Sequence, residues 1–72
     1  MNQADRAKLR ALMEYLQNKI QSERWWAEQF SKEDNVLSAL RAQWIATGLG
    51  IALRQLAAAF NIPVDLEQEE QS

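Results

Sequence analysis

Apolar residues recur along the first half of the chain in steps of three, four and seven. Leu9, Met13, Leu16, Ile20, Ala27 and Phe30 keep this spacing, with Leu12 beside them. At about 100° per residue these positions share one helical face. Between Gln3 and Phe30 there is no Pro or Gly, and Ala, Leu, Glu, Gln, Lys and Arg dominate. All six are good helix formers. The spacing predicts a first helix over about residues 3–30. Glu23 falls on the apolar stripe, where a carboxylate is out of place unless paired. Lys19, one turn earlier, is its expected partner.

The pattern breaks at SKEDN, residues 31–35. Ser31 with Asp34 three residues on approximates a capping box, and Asp34 or Asn35 could cap instead. A second helix is predicted over about residues 32–60. Asn61 suits the left-handed position that ends a helix, and Pro63 cannot continue one. So short a connection folds the two helices back antiparallel. Residues 61–66 read as a short extended tail that completes a hairpin spanning 1–66. The acidic stretch 67–72 is expected to be disordered. Gly48 and Gly50 each cost a helix interior about 1 kcal/mol relative to Ala. They either kink the second helix or serve its packing.

The second helix is apolar on more than one side. Arg41 and Arg54 bracket AQWIATGLGIAL, which carries no charge. One seam runs through Ala42, Ile45, Leu49, Leu53, Leu56 and Phe60. Another holds Leu37, Leu40, Trp44, Gly48, Ile51 and Ala58. A third line is small: Ala39, Ala46, Gly50 and Ala57, a spacing that lets another backbone come close. A lone hairpin buries one stripe of each helix. An all-α antiparallel hairpin that pairs into a dimeric four-helix bundle buries the rest. The expected dimer interface is Leu37, Trp44, Ile45, Gly48, Leu49, Ile51, Leu53 and Leu56.

The first helix carries a second uncharged stripe opposite its apolar one. Ser22, Trp25 and Gln29 lie on it, with Tyr15 and Trp26 on its flank. Large aromatics concentrate at interfaces, so these five residues are the expected surface for a different protein.

Composition narrows the chemistry. A chain of 72 residues is at most one domain. Cores this small are usually reinforced by disulfides, metal or a partner chain. The sequence has no Cys and no His, which removes disulfides and the commonest zinc ligands and leaves self-association. The same absences, with no Gly-rich phosphate loop, argue against an enzyme, and no cofactor is expected. A net charge of −2 argues against a free nucleic-acid binder, although Arg6, Lys8, Arg10 and Arg24 could serve a small nucleic-acid-binding regulatory dimer. Val36 to Phe60 is long enough to span a bilayer, but Arg41 and Arg54 inside it argue against a membrane location. The opening MNQADRAKLR has no apolar leader, so the cytoplasm is the expected compartment.

The stretch LRQLAAAFNIPVD resembles the closing helix of lambda-repressor-type helix-turn-helix domains at Leu56, Ala57, Phe60, Ile62 and Asp65. The two-helix reader that precedes that helix in the family has no counterpart upstream, so no DNA-reading role comes with the resemblance. The expected function is a small protein–protein interaction module. In this reading a helical homodimer regulates another protein as an adaptor or antagonist. Phage- or plasmid-encoded inhibitors and anti-activators belong to this class. A structural subunit of a larger assembly is the other expectation.

Overall fold

A computed structural model describes residues 2–62. It contains two helices, α1 (Gln3–Lys32) and α2 (Val36–Phe60), packed side by side as an antiparallel hairpin. Asn2 caps α1, its side-chain oxygen accepting from the Asp5 N–H at 2.8 Å. Asp5 in the first turn and Lys32 in the last complement the helix dipole.

The two helices end in the same way. Asp34 (φ 60°) and Asn61 (φ 54°) both adopt the left-handed conformation that most often belongs to glycine. Their short polar side chains tolerate it. In each case the next residue's N–H reaches back five positions. Asn35 donates to the Phe30 carbonyl at 2.8 Å and Ile62 to the Ala57 carbonyl at 3.0 Å. These bonds satisfy carbonyls that a helix end leaves unpaired. Asn35 also starts α2, because its side chain accepts from the Ser38 N–H at 3.4 Å.

This arrangement moves one expected boundary. Ser31 and Lys32 form the last turn of α1, and the second helix starts at Val36 rather than near residue 32. The left-handed turn at Asp34 fixes the stop, and of the three possible caps Asn35 is used. At the other end α2 runs unbroken through Gly48 and Gly50. Residues 63–66 of the expected extended tail and the acidic stretch 67–72 lie outside the described residues.

The core is narrow. Met13, Ile20, Ala46, Leu53 and Ile62 form its buried cluster, with Leu9, Leu16, Leu49 and Ala57 packed against it. Met13, Ile20 and Ala27 are the buried positions of α1, as the apolar stripe predicts. On α2 the inward line is Ala39, Ala42, Ala46, Gly50 and Leu53. The small line therefore belongs to the seam of the hairpin itself. Leu53 stands on this line at 0 % exposure, enclosed within the hairpin itself. Leu49 packs against the same cluster and is largely committed to it. Ile62 joins the core from beyond the end of α2. The left-handed turn at Asn61 swings it back over Ala57, the apolar contact that accompanies this kind of helix end.

Candidate functional site

Because α2 turns its small residues inward, its large ones face out. Leu37 is 80 % exposed, Trp44 69 % and Ile51 54 %. Val36, Leu40, Ile45 and Phe60 are exposed as well. Of the expected interface residues, Leu37, Trp44, Ile45, Gly48 and Ile51 are thus accessible, Leu56 is half-buried, and Leu53 is enclosed. One turn separates Trp44 from Gly48. A Cβ added at Gly48 would meet nothing within 4 Å, so the hairpin itself gives this glycine no packing purpose. The same holds at Gly50, although that residue is buried.

One side of the hairpin continues this surface onto α1. A groove there is lined by Glu23, Phe30, Ser38, Arg41, Ala42 and Ile45. Glu23 is held at its wall by Lys19, whose Nζ lies 3.1 Å from the Glu23 Oε1. That pairing leaves the carboxylate at the edge of the seam, as its neighbour one turn back predicts. The ion pair spans i to i+4 and leaves Lys19 about half exposed, so it contributes little stability.

The second surface lies on α1 and is aromatic. Trp25 and Trp26 meet edge to face, with ring centroids 4.8 Å apart and planes at 85°. Trp26 in turn stacks on Phe30 at 5.7 Å. The three rings thus pack on one another while Trp25 stays 54 % and Trp26 47 % exposed. Tyr15, two to three turns earlier on the same helix, is 63 % exposed. Ser22 is exposed and Gln29 half-buried. All five residues of the expected partner surface are therefore reachable from solvent.

Among the described residues no three carboxylates gather into a metal-binding group. A second groove lies between the two helices. It is lined by Arg24, Ala46, Thr47, Gly50, Ile51 and Arg54.

α2 is also the one helix among the described residues that is long and apolar enough to cross a membrane. Only 28 % of its most apolar stretch is buried, which sets it apart from the core helix of a self-sufficient domain. Insertion would place Arg41 and Arg54 roughly 20 Å apart within a hydrocarbon layer about 30 Å thick. It would also drag in α1, which packs along α2 and carries Arg10, Glu14, Lys19, Glu28 and Lys32. Each central Arg alone costs about 2.5–3.5 kcal/mol.

No protein-family model, no curated protein and no solved structure matches the chain.

Proposed function

We propose that the chain is a small protein–protein interaction module, a helical homodimer that binds another protein and regulates it as an adaptor or antagonist. The observation that carries this reading is the number of large apolar side chains left uncovered on two separate surfaces. Leu37, Trp44 and Ile51 stand out on α2, and Tyr15, Trp25 and Trp26 on α1. Water-exposed indoles and aliphatic side chains at this density mark surfaces that bind. Two such surfaces allow one to serve self-association and the other a different protein. The α2 surface suits self-association because it is the broader and more aliphatic. The α1 surface suits a second protein because its aromatics are already held in place by one another, which lowers the ordering cost on binding.

The test is affinity capture from the native cell with the tagged chain, run beside Trp25→Ala. The reading expects one protein recovered in near-stoichiometric amount by the unaltered chain and lost with the variant. Recovery of nothing specific, or equal recovery by both, contradicts it.

A further inference from the structure

We infer that a second copy of this chain docks on the outer face of α2, with the two α2 helices antiparallel and crossing at Gly48. This rests on the homodimer reading above and specifies its geometry.

Gly48 is the midpoint of α2 (Val36–Phe60). At about 100° per residue, Leu37, Trp44, Gly48, Ile51 and Gln55 fall in one arc of the helix, with Arg41, Ala52 and Ala59 beside it. All eight are exposed. The two halves of this face differ in size. The half before Gly48 is the bulkier, with Leu37 and Trp44, while the half after it has Ile51 with the small Ala52 and Ala59. A face that is large at one end and small at the other complements itself only when reversed. An antiparallel copy crossing at Gly48 sets Trp44 opposite Ala52 of the second copy and Leu37 opposite its Ala59. Ile45 then falls beside Ala52 of the second copy, and Ile51 beside its Trp44. The missing side chain at Gly48 lets the two backbones approach at the twofold axis, a purpose the hairpin alone does not supply.

Charge agrees with size. In a parallel pair Arg41 would face Arg41 of the other copy and Trp44 would face Trp44. In the antiparallel pair Arg41 faces Gln55, whose amide oxygen can accept from the guanidinium. Area agrees as well. Leu37, Leu40, Trp44, Ile45 and Ile51, the exposed large apolar residues within about 80° of Gly48, offer on the order of 500 Å², the larger part of the roughly 800 Å² that one partner gives to a standard interface.

The chain has no cysteine, so single-cysteine variants report contacts cleanly. Helix axes 8–10 Å apart bring facing Cα atoms at the crossing within disulfide range. A side chain at Gly48 meets nothing inside the hairpin, so Gly48→Cys should fold. Under mild oxidation Gly48→Cys should form covalent dimers. Leu37→Cys alone should not, because its two copies would lie roughly 30 Å apart. Leu37→Cys mixed with Ala59→Cys should cross-link. Trp44→Ala should raise the dimer dissociation constant by about 30-fold or more with helix content unchanged. If Leu37→Cys links to itself as readily as Gly48→Cys, the antiparallel crossing is wrong. If Gly48→Cys fails to link while light scattering gives the mass of two chains, another face forms the dimer and only this inference falls. If the mass is that of one chain at all concentrations, or association needs lipid vesicles, the homodimer reading falls with it.

Discussion

The two long faces of α2 reverse the usual distribution of side-chain size. Its inward face is Ala39, Ala42, Ala46, Gly50 and Leu53, and its outward face displays Leu37, Leu40, Trp44 and Ile51. An ordinary amphipathic helix puts its large apolar residues toward the core and polar ones outside. Here the face against α1 is mostly small, and most of the apolar bulk remains uncovered. The inward face fixes the hairpin's shape while supplying little burial, since Ile20 and Leu53 are the largest side chains fully enclosed. Below about 80 residues even a good core gives only some 3–5 kcal/mol. The outward face is therefore where further stabilisation can come from, and a four-helix bundle is the simplest arrangement that uses it.

The largest effect should come from the inward face. Leu53→Ala removes one of the two fully enclosed large side chains and should cost about 2–5 kcal/mol, measured by denaturant unfolding. A cost near zero would mean the seam between α1 and α2 is not the core. Gly48→Leu should act in the opposite region. Nothing in the hairpin obstructs a side chain there, so any loss of association must arise from a second molecule. Sedimentation should show the variant shifted toward single chains with its helicity intact. If it gains stability and associates as before, the outer face at Gly48 is solvent.

Gly50→Ala sharpens the contrast by moving two residues along the helix. A Cβ at Gly50 also meets nothing within 4 Å, and the position faces inward. The substitution should raise stability by about 1 kcal/mol through helix propensity alone and leave association unchanged. A thermal midpoint that falls would show the seam tighter than the described geometry. The smallest effect on the fold should be that of Trp25→Ala. The indole is 54 % exposed and lies on α1 away from the seam. The thermal midpoint and the mass should hardly move, although capture of a second protein should be lost. A chain that unfolds on this substitution would make Trp25 part of the dimer core.

Much of this architecture was legible in the sequence. The stripe Leu9, Met13, Leu16, Ile20 and Ala27 defined α1 and its inward face, because one helix with one apolar side has one way to turn. Asn61 announced the end of α2 by its tolerance of left-handed backbone. The orientation of α2 was not legible in the same way. Three of its lines were apolar, and periodicity alone ranks the largest as the inner one. In the structure the mostly small line faces α1 together with Leu53, leaving Trp44 and Ile51 outside. The start of α2 was ambiguous for a local reason. Ser31, Asp34 and Asn35 can each cap, and the choice depends on the left-handed turn at Asp34 that closes α1 first. The aromatic surface was readable as a set of uncharged positions, but the edge-to-face and stacked contacts that hold Trp25, Trp26 and Phe30 together are visible only in three dimensions.

The most direct measurement is the thermal unfolding midpoint over a hundredfold range of protein concentration, paired with the mass in solution at each end. If a second copy covers the outer face of α2, association adds to the stability of the folded hairpin and the midpoint must rise with concentration. The expected mass at the upper end is that of two 8.3 kDa chains. A midpoint independent of concentration, with one chain at both ends, would show the hairpin standing alone with Trp44 and Leu37 in water, and would contradict the account.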